Sequence, residues 1–369
     1  MASVEKRTRE GKVTWLARWR DDAGLQRKRS FPRRVDAQRF VAQIEADMLR
    51  GQYIDPTDRT TVLAFSRQWA ALRVHHRPTT ARRVSSLIET HIAGTPLGNR
   101  RLAAVSPSEV QAWASGRSVV LAPSTLRLLV SLLRSIYAAA VLDRLVATTP
   151  VIRLTLPSAH RERVIPLSVD LVRRLAATMP ERNRAMVITQ AGLGLRIGEL
   201  LALRREDVNF LGRSVRVEWQ IAPGSKIRSE PKTRRSRRTL PLPQVVADAL
   251  AVHMAAFPPG EDGSLFTTRF GTPYRHDYYG AQIFVMAAKR AGLPPGTTPH
   301  DLRHHFASVL LAGGESVVAV AERLGHENAA LVLSTYGHLM PDSEGRTRRA
   351  IDNAWSSAPP VPQDVAAGS

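Results

Sequence analysis

Three short segments near the C-terminus hold the residue types that chemistry on a phosphate needs. They are Pro299-His300-Asp301-Leu302-Arg303-His304, Leu324-Gly325-His326 and Thr335-Tyr336-Gly337-His338. A guanidinium offers phosphate oxygens a fork of N–H donors. An imidazole can give or take a proton near neutral pH. A phenol can attack phosphorus once its proton, with an ordinary pKa of about 10, is drawn off. Upstream, Arg196 and Glu199 lie three residues apart in Gly192-Leu193-Gly194-Leu195-Arg196-Ile197-Gly198-Glu199. On a helix that spacing lets the carboxylate orient the guanidinium. Lys232 lies in the basic run Glu230-Pro231-Lys232-Thr233-Arg234-Arg235-Ser236-Arg237-Arg238. Each group alone has an ordinary structural reading. Tyr336 can be a packed aromatic, Arg196 with Glu199 a surface pair, and Lys232 a clamp on a nucleic-acid backbone. His300 and His304, four residues apart, also suit a metal pair with His326 or His338 as third ligand. No carboxylate-bearing metalloenzyme motif accompanies them.

The elements that must carry these groups can be read locally. Thr298 caps a helix with Pro299 in its first turn. Leu302, Phe306, Val309 and Leu310 form its expected buried stripe, and Gly313-Gly314 stops it. His300 and Arg303 then share a face near a helix N-terminus, which itself attracts phosphate. Ser316 to Leu324 reads as a short apolar helix with Gly325 as its left-handed cap, so His326 emerges just past the cap. A last helix from about Asn328 carries Tyr336. In the upstream block Leu195, Leu200, Leu201 and Leu203 are expected to pack inward. Val215, Val217 and Trp219 alternate, a basic loop follows, and Thr239-Leu240-Pro241-Leu242 completes a hairpin-like pattern.

The bulk numbers point to a polyanionic partner. The 369 residues suffice for two or three domains, and 43% are hydrophobic, enough for real cores. Net charge is +21 and the isoelectric point about 11.3, which favours nucleic acid as partner. There is no cysteine, which excludes disulfides, thiolate catalysis and cysteine-based zinc sites. Met1 to Arg20 is charged and lacks the apolar stretch of a signal peptide. No apolar run approaches the roughly 18–20 residues needed to span a bilayer, so the expectation is a soluble cytoplasmic protein without a membrane partner.

Residues 1–57 read as a small separate unit. Val13, Trp15, Ala17 and Trp19 alternate on one strand face, Asp22-Ala23-Gly24 turns, Gln26 to Phe31 makes a second strand, and Val35 to Arg50 a helix with Phe40, Val41, Ile44 and Met48 in register. Such a sheet would present Arg18, Arg20, Arg27, Lys28 and Arg29 to solvent, as a ribbon able to enter a major groove. Tyr53 to Thr60 reads as a linker. Residues 60–148 read as a helical bundle with stripes at Phe65, Trp69 and Leu72; at Val84, Leu87, Ile88 and His91; and at Leu126, Leu129, Val130, Leu133, Ile136 and Tyr137. A second linker, rich in Pro and Arg, precedes a mixed unit over residues 162–350. Residues 351–369, with Pro359, Pro360 and Pro362, read as a tail expected to be disordered at its end. The fold class is therefore multidomain and mainly α, with small β-sheets.

Taken together, the blocks resemble the tyrosine recombinase, or phage integrase, family over the whole chain, most strongly from Gly192 to His338. The family pattern is an Arg in a Gly-Leu-Arg-x-x-Glu box, a hairpin Lys, a His-x-x-Arg, a Leu-Gly-His and a Tyr one helix later. Arg196, Lys232, His300, Arg303, His326 and Tyr336 fill it, with Glu199 in support. His305 stands where a Thr is common, and Lys226 rivals Lys232, though the Pro-Lys-Thr context favours Lys232. The resemblance implies an arm-binding domain, a helical core-binding domain and a catalytic domain. It implies cleavage and rejoining of duplex DNA through a 3′-phosphotyrosine at Tyr336, without metal, ATP or other cofactor. Arg196, Arg303 and His326 would stabilise the transition state, Lys232 would protonate the leaving 5′-oxygen, and His300 would be proton acceptor or positioning group. It implies a homotetramer on core and arm attachment sites, with a host DNA-bending factor and an excisionase as further partners. The N-terminal unit favours an integrase of a phage or other mobile element. A type IB topoisomerase and a catalytically silent DNA-binding regulator are the competing readings.

Overall fold

Alternation in the first fifty residues builds an antiparallel sheet of order β1-β2-β3, from Ser3–Arg9, Lys12–Arg20 and Gln26–Phe31. The structure is a computed structural model that describes residues 2–9, 12–21, 24–50, 53–74, 78–158, 163–231, 233–326, 328–339 and 344–356. The chain divides into two units, Met1–Arg161 and Glu162–Ser369. In the first, helix α1 (Arg34–Leu49) packs Phe40, Ile44 and Met48 against Trp19 of the sheet. The Trp19 indole donates to the Tyr53 hydroxyl at 2.7 Å, so the start of the expected linker is pinned into this core.

Strand register refines one expectation, since Arg27 is half-buried while Arg29 stays exposed. Arg27 lies opposite Trp19 and Arg29 opposite Ala17, and directly opposed residues share a face. Both therefore lie on the helix-covered side. Arg27 is held by Asp21 at 2.9 Å and Asp55 at 3.0 Å, and the Arg29 guanidinium stacks on Phe31 and Phe40. The open face instead pairs Arg18 with Lys28, Arg20 with Gln26 and Arg7 with Thr14.

The helices α2 (Val62–Ala71), α3 (Pro78–His91), α4 (Pro96–Asn99), α5 (Pro107–Ser118) and α6 (Pro123–Leu142) share a second core. Ser106 and Glu109 form a reciprocal cap on α5. All six residues of the expected α6 stripe are buried, whereas Leu72 is exposed. At 20 residues and mean hydropathy 1.6, α6 is long and apolar enough to cross a membrane, contrary to the expectation that no such run exists. Its apolar stripe is spent on the bundle core.

The second unit begins with α7 (Val169–Thr178), α8 (Glu181–Leu193) and α9 (Ile197–Ala202). Strands β4 (Val208–Asn209), β5 (Ser214–Val217) and β8 (Arg238–Pro241) form one antiparallel sheet, with Val215 opposite Leu240 and Val217 opposite Arg238. Between β5 and β8 the chain inserts the pair β6 (Gln220–Ile221) and β7 (Arg228–Ser229), just short of the Glu230–Arg238 run. Then follow α10 (Gln244–Ala256), α11 (His276–Tyr278), a π-helical turn Tyr279–Phe284, α12 (Val285–Arg290), α13 (Pro299–Ala312), α14 (Val317–Leu324), α15 (Ala329–Tyr336) and α16 (Glu344–Ser356). Residues 351–356 of the expected tail are thus helical, and the rest lies outside the described residues. Helix α8 is packed by α7, α10 and α13, with Met186, Val187, Leu200, Leu201, Leu250 and Leu302 in the core. A second cluster joins Ala307, Leu311, Val320, Leu324, Val332 and Tyr336. Val309 is 46% exposed rather than buried. It lines an apolar cleft of about 810 Å³ with Val172, Ile188, Val245, Phe306 and Ala319.

Candidate active site

The site starts where α8 stops. Gly194 takes a left-handed φ of 64°, and a Cβ there would meet the Phe306 ring at 2.3 Å. Glycine is therefore required twice, by the turn and by the packing of α13. The turn delivers Arg196 to the mouth of α9. Glu199, 2% exposed, accepts the Arg196 backbone N–H at 3.0 Å and its guanidinium at 2.7 Å. The same carboxylate accepts Arg238 Nη2 at 2.9 Å. Burial alone would raise the Glu199 pKa, but Arg238, Arg196 and Arg303 together hold it below the usual value. One buried carboxylate thus fixes two cations.

Arg303 is 1% exposed. Its Nη1 donates to the Gly194 carbonyl at 2.8 Å and its Nη2 to the Leu324 carbonyl at 2.6 Å. Arg196 Nη2 donates to the next carbonyl, Gly325, at 3.2 Å. Two guanidiniums therefore hold successive carbonyls of the turn that presents His326. Burial, and then the like charge of Arg196, pull the Arg303 pKa down to about 9, which leaves it charged at neutral pH. Gly325 has φ 65°, and a Cβ on it would crowd the Arg235 carbonyl and Arg238 Nη1 at 3.1 Å. Past this cap, His326 Nδ1 is buried and meets no partner among the described residues. Burial first, then Arg303, Arg196 and Arg238, push its pKa down to about 4, so the ring is neutral.

Asp301 caps α13 by accepting the Thr298 backbone N–H at 2.7 Å and hydroxyl at 2.9 Å. This sets the first turn, from which His300 is exposed while Arg303 points inward. Desolvation, His304 and Arg303 all lower the His300 pKa. The rings of His300 and His304 meet edge-on at 4.7 Å. Tyr336, the last residue of α15, is 3% exposed, and its hydroxyl lies 2.6 Å from His304 Nδ1. Burial pushes the phenol pKa up to about 12 against the opposing pull of Arg303.

The fold brings Arg196, Glu199, Arg303, His326 and Tyr336 into one centre, with His300 at its rim. Lys232 lies outside the described residues. Its rival Lys226 is exposed in the loop between β6 and β7. His338, a possible metal ligand in the sequence reading, instead meets the Val164 carbonyl at 3.0 Å. His305 Nδ1 lies 2.7 Å from the Leu167 carbonyl and so ties α13 to the start of the unit. Sequence reasoning assigns two members of the centre no part in the phosphate chemistry. Arg238 closed a basic run, and only its place on β8, donating to Glu199 and to the Arg323 carbonyl at 2.7 Å, distinguishes it. His304 was noted for its spacing from His300, a signal that also fits one helix face turned toward a third element.

Comparison with known proteins agrees with this architecture. The family model for the phage integrase family matches residues 166–342. Tyrosine recombinase XerC of Rhodospirillum centenum is 31% identical over 290 residues, 72% of this chain and 81% of that protein. The integrase of Mycobacterium phage D29 is 26% identical over 325 residues, 83% of this chain and 84% of that protein. Among solved structures, the Tn1549 transposon integrase in complex with a circular intermediate DNA superposes with a TM-score of 0.70 at 21% identity, over 80% of this chain and 99% of that one. The relationship defines an enzyme that cleaves and rejoins DNA. The chain belongs to the phage integrase family, the tyrosine recombinases.

Proposed function

We propose that this protein is a site-specific integrase that joins or excises a mobile element through a covalent 3′-phosphotyrosine at Tyr336. The observation that carries the reading is the buried Tyr336 hydroxyl, in one centre with Arg303, Arg196 and His326. A phosphodiester transition state spreads negative charge over its non-bridging oxygens, and fixed cations in a desolvated site stabilise it without reorganising. Arg196 and Arg303 supply that charge, Glu199 orients Arg196, and neutral His326 donates one further hydrogen bond. Lys232 is the general acid for the leaving 5′-oxygen, and His300 at the rim contacts the DNA or positions its neighbours. Covalent storage of the phosphodiester makes ATP and metal unnecessary.

Residues 1–57 form the arm-binding domain, reading DNA with Arg18, Arg20 and Lys28 on the open sheet face; residues 60–148 grip the core site; residues 162–350 cut and rejoin. Two DNA readers on one chain raise the effective concentration of one site near the other. The working form is a homotetramer on two duplexes in the cytoplasm, assisted by a host DNA-bending factor and an excisionase. Ile351 and Trp355, exposed at 56% and 78% on α16, are the contacts offered to a neighbouring protomer.

The test is covalent capture on a nicked core-site duplex. Wild-type protein forms a DNA adduct that survives denaturation, and Tyr336→Phe binds the same DNA but forms none. An adduct from the Phe variant overturns the assignment of Tyr336. Efficient relaxation of a plasmid that lacks attachment sites, without joining of two sites, overturns integrase in favour of a topoisomerase.

A further inference from the structure

The Tyr336 hydroxyl makes its hydrogen bond to a side chain that the phosphate-binding set leaves out. His304 Nδ1 stands 2.6 Å from the phenol oxygen, with the two rings edge-on at a centroid distance of 5.5 Å. The pair joins α13 to α15 across 32 residues of sequence. His304 follows Arg303 directly and is braced by the edge-on ring of His300 one turn earlier. An imidazole nitrogen this close to a phenol has two readings, as donor to a phenolate or as acceptor from O–H. Burial of the His304 ring and the charge of Arg303 lower its pKa, with Asp301 opposing, while burial keeps the phenol protonated. With both groups neutral, the tautomer that carries its hydrogen on Nε2 leaves the Nδ1 lone pair to accept from the phenol O–H. Among the described residues, the charged and titratable groups around His304 are His300, Asp301 and Arg303 on its own helix and Tyr336 from α15.

We propose that His304 is the general base for Tyr336: its Nδ1 takes the phenolic proton as the oxygen bonds to phosphorus. The inference rests on the reading of Tyr336 as nucleophile. In the forward step the O–H bond breaks, the Tyr336 O–P bond forms, the P–O bond to the 5′-oxygen breaks, and that oxygen leaves with a proton from the general acid. His304 ends as imidazolium. On rejoining, the 5′-hydroxyl gives its proton to the deprotonated general acid as it attacks the phosphotyrosine, and His304 returns its proton to the departing phenol. The distance is within the range required of a general base. In the free protein burial lowers the His304 pKa and raises that of the phenol, so the proton stays on Tyr336. Transfer is coupled to O–P bond formation, which acidifies the phenol, and the tyrosine stays inert until a phosphate is seated.

The experiment uses the full chain and a core-site duplex with a 5′-bridging phosphorothiolate, whose thiolate leaves without a proton. DNA binding, measured separately, is expected to be unchanged in His304→Gln and His304→Ala. Glutamine can accept the phenol hydrogen bond but cannot take its proton. Both variants are expected to form adduct about 100-fold more slowly than wild type. Their rates should rise with pH toward 10, where wild type is already flat, and added imidazole should accelerate His304→Ala. A wild-type rate in His304→Gln, or a wild-type pH profile in both variants, overturns the proposal and reduces His304 to a positioning contact. Absence of adduct from wild type itself, with DNA bound, is the separate failure of the nucleophile reading, and the proposal falls with it.

Discussion

The N-terminal sheet and the candidate active site are both rich in arginine, yet the fold treats the two sets oppositely. On the sheet, Arg18 pairs with Glu5 at 3.1 Å, with the two side chains 36% and 52% exposed. Water solvates both partners, so the pair contributes at most about 1 kcal/mol. In the site, Arg303 is 1% exposed and donates to two backbone carbonyls, and a 2%-exposed Glu199 lies between Arg196 and Arg238. There the guanidinium is part of the framework, because the carbonyls it holds have no water to replace it. Within the sheet itself the contrast recurs. Arg27, half-buried between Asp21 and Asp55, serves the helix-facing side, while Arg20 and Lys28 on the alternate register are exposed.

Three tests break or sharpen this comparison. The largest effect is expected from Arg303→Ala. It strips the Gly194 and Leu324 carbonyls and leaves a buried hole, so stability should fall by about 3–5 kcal/mol and adduct formation by about 10³-fold. Urea unfolding and covalent capture measure the two. A stability loss under about 1 kcal/mol would show that Arg303 is not structural.

Acid gives the intermediate effect. The folded His326 pKa, about 4, lies below the ordinary value of 6.5. Between those values the unfolded chain binds more protons than the folded one, so stability present above pH 6.5 is lost as pH falls toward 4. The loss should amount to roughly 2 kcal/mol after allowing for partial exposure. His304 shifts in the same direction and adds to it. Melting curves of wild type and His326→Ala across this range should converge at low pH, and parallel curves would contradict the assignment.

The smallest effect on stability is expected on the sheet. Arg18→Ala and Lys28→Ala should each alter stability by no more than about 0.5 kcal/mol. Each should nevertheless weaken binding to an arm site and reduce the slope of log affinity against log salt by about 1. Unchanged binding and slope in the double variant would remove the open face from the DNA interface.

Much of the site was legible in sequence because it is built from local devices. The Thr298 cap, the left-handed Gly325, the Asn328 start of the last helix and the Arg196–Glu199 spacing all stand where local rules place them. Errors fell where a neighbouring element decides the outcome. Val309 has the spacing of a core residue, but α13 turns that edge to the cleft and buries Arg303 and His305 instead. Leu72 ends its stripe in solvent because α2 stops at Ala71. Helix α6 has the length and hydropathy of a membrane span, and its stripe is claimed by the bundle core, where α2 and α5 pack on it.

The sequence by itself determined the family, the charge and the identity of the reactive groups, since composition, caps and short spacings need only nearby residues. Tertiary structure decided how those groups are used. Periodicity says that a helix has a buried face but not which element covers it. Only packing could show that one carboxylate, Glu199, would fix both Arg196 and Arg238. Only packing could bring the Tyr336 hydroxyl, from a helix 32 residues away, onto His304.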